Sequence, residues 1–323
     1  MKFAIYGAGA IGAYLGALLA RSGEEVTLIA RGPHLEAMQT NGVRVITSKE
    51  EIIVPIRATD NPEEVGPVDV VVLSVKAHGL PAIADKLQPL LSQETSVLAA
   101  QNGVPWWYFY KHGGGLEGTV LSTLDPDGVI NRNISVDRII GCVVYPSAVV
   151  SEPGVVHHVE GDRFSIGELD GSTTDRCKRI AEALIRSGLR CPIRPRIRQD
   201  IWVKLLGSVA FNPLSALTRA TLEQLATDPW ISSIAREVMG EADAIARALG
   251  VPVPVTIEQR LNGAANVGAH KTSMLQDLGV GRPMELESLV GAVIELGETL
   301  GIDTPVTRIV YGCVKLLEVN SLR

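Results

Sequence analysis

Lys2-Phe3-Ala4-Ile5-Tyr6-Gly7-Ala8-Gly9-Ala10-Ile11-Gly12 carries an apolar stretch directly into the pattern G-x-G-x-x-G. The glycines alone are a weak signal. Here they follow a predicted strand at Phe3–Tyr6, open a predicted helix at Ile11–Arg21, and precede a second predicted strand at Glu25–Ala30. In that setting Gly7 permits a sharp turn, Gly9 lets a pyrophosphate approach the backbone, and Gly12 lets helix and strand pack closely. The helix N-terminus adds free N–H groups and partial positive charge. Gly7, Ala8, Gly9, Ala10, Ile11 and Gly12 therefore form a candidate dinucleotide cradle, against the alternative of a tight strand–helix turn with no ligand.

The surrounding chain continues the alternation. Val68–Val75 is apolar without alternation, as for a strand buried on both faces. Leu80–Leu91 reads as a helix and Ser96–Ala100 as a further strand, so a parallel sheet with crossover helices is expected. From about Arg138 the runs Ile139–Tyr145, Val155–Glu160 and Arg163–Ile166, broken by Ser151-Glu152-Pro153-Gly154 and Gly161-Asp162, suggest antiparallel strands and a tight hairpin. A helix at Asp175–Ser187 follows. Beyond Arg196 only helices are predicted, at about Gln199–Asn212, Leu222–Thr227, Pro229–Leu249, Thr256–Leu261, Arg282–Leu300 and Thr304–Leu317. The expected domains are 1–195, nucleotide-binding, and 196–323, all-helical.

Composition bounds the function. The 323 residues carry 30 Lys+Arg against 36 Asp+Glu, a net charge of −6, which argues against a nucleic-acid partner. Hydrophobic residues make up 46% and charged ones 20%, excluding a disordered chain. No uninterrupted apolar run approaches the ~20 residues of a membrane span. Cys142, Cys177, Cys191 and Cys313 show no CxxC pairing and fit reduced thiols in a cytoplasm. The adjacent His157 and His158 project to opposite faces of a strand, and no other histidine has ligand spacing, so no metal site is expected. A homodimer is compatible with the sequence but not required by it.

The end of the second strand bears on the cofactor. A carboxylate there would hold the ribose hydroxyls of NAD, but the sequence reads Leu28-Ile29-Ala30-Arg31-Gly32. Arg31 suits a 2′-phosphate by bidentate contact, which favours NADP over the alternative of a plain surface charge. Lys76, after the buried strand, is a phosphate contact or a surface lysine. Asn102, in Gln101-Asn102-Gly103, is a turn former or a ligand contact beyond a strand's carboxyl end.

Lys204, Ser208 and Asn212 recur every four residues on an apolar helix and so share a face. A lysine in such surroundings is desolvated, which lowers its pKa toward the range useful for proton donation. Snorkelling of Lys204 and capping by Asn212 before Pro213 are the structural alternatives. Ser273 with Gln276 reads as a capping box or as part of a ligand site. Glu285 aligns with the apolar positions Leu289, Ala292, Val293 and Leu296, so it points inward and needs a partner. Glu287 lies near Glu295 and Glu298 and is expected to be solvated.

Together, Gly7–Gly12, Lys76, Gln101-Asn102-Gly103, Trp202-Val203-Lys204 with Asn212-Pro213, and Ser273-Met274-Leu275-Gln276-Asp277 with Glu285 make the chain resemble the ketopantoate reductase family. The resemblance implies an α/β chain: a doubly wound Rossmann domain joined to an all-α domain like that of 6-phosphogluconate dehydrogenase, with substrate in the cleft. It implies NADPH reduction of a 2-oxo acid, ketopantoate first, in pantothenate biosynthesis. It makes Lys204 the general acid and Glu285 the substrate-orienting carboxylate. Asn102, Asn212 and Ser273 match substrate contacts, and Arg31 and Lys76 match cofactor-phosphate contacts. Asn102 is also expected against the cofactor.

Two departures concern the substrate. Ser208 stands where the family commonly has a second asparagine. The run Trp106-Trp107-Tyr108-Phe109-Tyr110, ahead of Gly113-Gly114-Gly115, holds five of the chain's 14 aromatics (4 Phe, 4 Trp, 6 Tyr) and would line a pocket or lid, or pack in a core or subunit contact. A bulkier 2-oxo acid and a non-catalytic NADPH sensor are the rival functions.

Overall fold

A computed structural model describes residues 1–321; the last two residues of the expected second domain, 322 and 323, lie outside the described residues. The chain is α/β and divides into two compact units. The first unit comprises residues 1–101, 106–120 and 127–197, and the second comprises 102–105, 121–126 and everything from Arg198 onward.

Among the described residues, the first unit contains all eleven strands: β1 Lys2–Tyr6, β2 Glu25–Ile29, β3 Val43–Ile46, β4 Glu51–Val54, β5 Arg57–Thr59, β6 Val70–Leu73, β7 Ser96–Ala99, β8 Ile139–Val144, β9 Ser147–Glu152, β10 Val155–Glu160 and β11 Phe164–Gly167. Its helices are α1 Ala10–Arg21, α2 Gly32–Asn41, α3 Val129–Asn133 and α4 Asp175–Arg186. Seven strands form one sheet in the order β11-β8-β7-β6-β1-β2-β5, parallel except for β11. Strand order reverses at β1, with β2 on one side and β6 on the other. Ligands of open α/β sheets bind outside the carboxyl ends of strands at such a switch point. Val70, Val71, Val72 and Leu73 are fully buried, as their unbroken apolar run demands.

A smaller sheet, β4-β3-β10-β9, closes over α1, whose small residues let it sit between two layers. A Cβ added at Gly16 would lie 2.5 Å from Leu28 Cδ2. The hairpin expected across Gly161-Asp162 does not form, because β10 and β11 belong to different sheets; β10 instead pairs antiparallel with β9, the chain turning at Gly154. Strands β3, β4, β5 and β9 were not anticipated, because three to six half-exposed residues give little periodic signal. Leu80–Leu91 is not an α-helix. Only its later part is helical, as a 3₁₀ stretch at Ala84–Leu90; Pro89 has no N–H for an α-helical bond and its ring would crowd the carbonyl of Asp85.

The aromatic run packs into the core of this unit. Trp106, Trp107, Tyr108 and Phe109 are between 0% and 4% exposed, and Gly141 is held against Trp107, where a Cβ would lie 2.9 Å from the ring. These rings form no exposed pocket wall.

The second unit is helical: α5 Ile197–Thr218 (its first residue belongs to the first unit), α6 Leu222–Thr227, α7 Pro229–Ala248, α8 Ile257–Val267, α9 Ser273–Gly279, α10 Ala292–Leu300 and α11 Pro305–Ser321. Helix α5 runs through Pro213, so Asn212 does not cap a chain end. It is long and apolar enough to cross a membrane, yet 67% of its most apolar window is buried inside the protein, as for a core helix. The helix expected at Arg282–Leu300 starts only at Leu286, with a π-helical turn at Glu287–Gly291 leading into α10.

Candidate active site

In the first unit, β1 ends in Gly7 at φ +96°, where a Cβ would lie 2.5 Å from Val75 N. Only glycine fits that turn. Gly12 is equally confined, since a Cβ would meet Gly7 O and Ser74 Oγ, each at 2.5 Å. Gly9 differs: its Cβ would have nothing nearer than 4.0 Å, which leaves its backbone open to a ligand. The N-terminus of α1 has no side-chain cap and no acidic residue in its first turn. Its orphan N–H groups and dipole thus face outward at the switch point, an arrangement that fits a pyrophosphate.

Arg31 follows β2 with extended backbone (φ −141°, ψ 159°) and is exposed, without an ion-pair partner among the described residues. Burial raises the pKa of Tyr6, and the Arg31 guanidinium acts in the opposite direction, which puts the charge near the end of β1. Lys76 lies beyond β6, also extended, and Gln101 Nε2 donates to Val75 O at 3.0 Å. These groups fit the phosphates of a dinucleotide.

The second unit gathers the other residues singled out. Between Val203 and Asn212, α5 is buried except at Val203, Lys204, Ser208 and Asn212, which are half-buried. The three polar positions therefore form one accessible line. Lys204 Nζ donates to Asn102 Oδ1 at 2.6 Å, and Asn102 Nδ2 donates to Glu285 Oε2 at 3.3 Å. Asn102 thus lies between ammonium and carboxylate, its oxygen toward the cation and its nitrogen toward the anion. Residues 102, 204 and 285 meet although far apart in sequence. Glu285 is 8% exposed, as its alignment with the apolar face required.

Asn102 is fixed by its neighbours. Gly103 adopts φ +87°, and a Cβ there would sit 2.2 Å from Ser288 O. Val104 N donates to that same oxygen at 2.8 Å. The π-helical turn after Glu285 therefore clamps the loop that bears Asn102. Neither Gly103 nor Ser288 was recognised as part of the site; the Asn-Gly pair was the one available signal.

Further along α5, Ser208 Oγ donates to Lys204 O at 3.2 Å and keeps its lone pairs as acceptors. Asn212 Nδ2 donates to Ser273 Oγ at 3.4 Å. The capping-box expectation shifts by one residue: Thr272, 4% exposed, caps α9 by accepting from Leu275 N, which leaves the Ser273 hydroxyl for Asn212. Glu287 is not the solvated carboxylate expected. It accepts from Tyr311 Oη at 3.0 Å and Lys315 Nζ at 2.6 Å, because the π turn rotates it toward α11.

This arrangement offers a cation able to give a proton, a carboxylate able to accept from a hydroxyl, and a row of short polar side chains. The family model described as Ketopantoate reductase PanE/ApbA matches residues 3–171, and its C-terminal counterpart matches residues 196–318. The 2-dehydropantoate 2-reductase of Mesorhizobium japonicum is 50% identical over 321 residues, covering 99% of this chain and 98% of its own. The solved PanE/ApbA family ketopantoate reductase from Ralstonia eutropha is 29% identical, with a TM-score of 0.86 and full coverage of both chains (100% each). A D-mandelate dehydrogenase solved with NADH and anilino(oxo)acetate shares the fold, at 22% identity, TM-score 0.85 and 99% coverage of each chain.

Proposed function

The chain belongs to the ketopantoate reductase family, and from that premise we propose that it reduces 2-dehydropantoate to pantoate with NADPH, within pantothenate biosynthesis. Residues 1–195 serve the cofactor and 196–323 carry the catalytic helix. The observation that carries this reading is the line from Lys204 through Asn102 to Glu285.

NADPH, when bound, supplies the hydride that adds to C2 of the 2-oxo acid. The residues Gly7, Ala8, Gly9, Ala10, Ile11 and Gly12 would hold its pyrophosphate, Arg31 and Lys76 would contact its phosphates, and Asn102 would be a further cofactor contact. As the carbonyl electrons move onto oxygen, Lys204 Nζ delivers a proton and the alkoxide becomes a hydroxyl. The ammonium also stabilises the developing negative charge beforehand. Glu285 accepts from the substrate's 4-hydroxyl and fixes its orientation. Ser208, Asn212 and Ser273 donate to or accept from the remaining oxygens. Asn102 keeps Lys204 aimed by taking one of its three N–H donors. A cytoplasmic setting suits four free cysteines, of which three are buried.

The test is oxidation of NADPH, followed by absorbance, with 2-dehydropantoate and a panel of other 2-oxo acids. Preference for 2-dehydropantoate and for NADPH over NADH is expected. Bound cofactor without turnover of any 2-oxo acid would overturn the reading in favour of a sensor.

A further inference from the structure

Beside α1, from Tyr14 to Ser22, the first unit has an open cavity of about 710 Å³. Its near wall begins four helical steps, ~6 Å, beyond Ala10 and it extends away from the glycine turn, with none of Gly7–Gly12 in its lining. Its walls come from the end of α1, the β3–β4 turn, β10 and the turn after it, and the end of α4. The volume lies within the range of small-molecule sites.

Its charge runs against that of the chain. Arg21, Lys49, Arg186 and Arg190 line it against two carboxylates, Glu50 and Asp162, an excess of two positive charges in a protein of net charge −6. Arg21 is occupied by Glu50, at 2.7 and 3.1 Å. The others are not used up. Arg186 gives one terminal nitrogen to Glu24 at 2.6 Å, and Arg190 gives Nε to Asp162 at 2.6 Å. Among the described residues, their remaining nitrogens and Lys49 Nζ have no protein partner.

The wall supplies a second, independent sign. Tyr14 is 5% exposed and stacks on His158, with centroids 4.6 Å apart and planes at 8°. His158 Nε2 donates to Gly161 O at 2.5 Å, which holds the stack in place. The Tyr14 hydroxyl faces the cavity without a hydrogen-bond partner among the described residues. Burial, with Asp162 assisting, pushes that phenol up to about 12, so it stays a donor at neutral pH. The hydroxyl opens onto the cavity, so a ligand oxygen can take the place of water as its acceptor.

We propose that this cavity binds a phosphorylated small molecule distinct from the coenzyme, with Tyr14 donating to a phosphoryl oxygen and Lys49, Arg186 and Arg190 supplying countercharge. A phosphate dianion matches the excess of two charges. Its tetrahedral oxygens can meet donors arriving from α1, the β3–β4 turn and α4 together, which a flat carboxylate cannot.

The test uses calorimetric titration of NADPH-saturated protein, so that the cradle is filled, with inorganic pyrophosphate and, separately, AMP. One-to-one binding of either probe is expected, tighter for AMP if the natural ligand is an ester that fills the cavity, and for pyrophosphate if it is a free anion. Tyr14→Phe should weaken binding ~5–10-fold and Lys49→Glu ~10-fold or more, with NADPH affinity unchanged in both. Lys49 is exposed and has no contact to lose, so its substitution leaves the fold intact. Absence of binding by both probes, or binding indifferent to both substitutions, would overturn the proposal.

Discussion

Gly103→Ala isolates the clamp on Asn102. The added Cβ would lie 2.2 Å from Ser288 O and 2.5 Å from Ser288 C, whereas ordinary contact begins at 3.4 Å. The loop must therefore retreat by roughly 1.2 Å (3.4 minus 2.2). Holding φ near +87° costs an alanine ~1 kcal/mol. Loss of the 2.8 Å bond from Val104 N to Ser288 O costs ~1 kcal/mol more. Destabilisation of ~2–3 kcal/mol should thus appear in urea unfolding. The larger effect is on catalysis. A shift of that size carries Asn102 Oδ1 out of hydrogen-bond range of Lys204 Nζ, now 2.6 Å away. Misplacement by ~1 Å costs ~100-fold in rate, so kcat/KM for 2-dehydropantoate should fall about that much. Gly115→Ala, whose Cβ meets nothing within 4 Å, is the control. If Gly103→Ala keeps kcat/KM within threefold of the parent while remaining folded, the clamp is irrelevant and Asn102 does not aim the lysine.

Arg31→Ala should weaken NADPH binding ~10–100-fold, the worth of a charge-assisted phosphate contact, and leave NADH binding nearly unchanged in fluorescence titrations. Glu285→Gln preserves shape but removes the charged acceptor, so KM for 2-dehydropantoate should rise ~10-fold or more with NADPH affinity intact, read from initial rates. Burial pushes the thiols of Cys177 and Cys191 up to about 11 and about 12. At pH 8 a thiol reagent should therefore titrate the exposed Cys313 alone in the native protein, and all four cysteines after unfolding. Both shifts are upward, so the unfolded chain releases these protons first. Their contribution to stability is complete below the ordinary thiol value of 9.0 and declines as pH rises toward 12, which alkaline unfolding curves would record.

What was legible in the sequence depended on how local the cause was. Gly7, Gly9 and Gly12 announce their turn because each answers a steric demand within one strand–helix unit. Lys204, Ser208 and Asn212 share a face by helical arithmetic alone, and Glu285 was assigned inward by the same arithmetic. The misreadings come from tertiary context or from prolines. Leu80–Leu91 has helical spacing, yet Pro89 breaks the α-helical bonding and leaves a 3₁₀ stretch at Ala84–Leu90. Glu287 was assigned to solvent on regular 3.6-residue geometry, which the π turn does not follow. Thr272 took the cap expected of Ser273 because either hydroxyl can cap, and only the packing of α9 near Asn212 decides between them. The pairing of Asn102 with Lys204 and Glu285 had no local trace, since it depends on how three distant segments of the second unit fold together.

The most direct measurement is single-turnover reduction of 2-dehydropantoate by Lys204→Met, with NADPH affinity determined on the same protein. Removing a general acid should slow the chemical step by ~10²–10⁴ while NADPH binds within about twofold of the parent. A reduction rate within tenfold of the parent would contradict the assignment of the proton to this lysine.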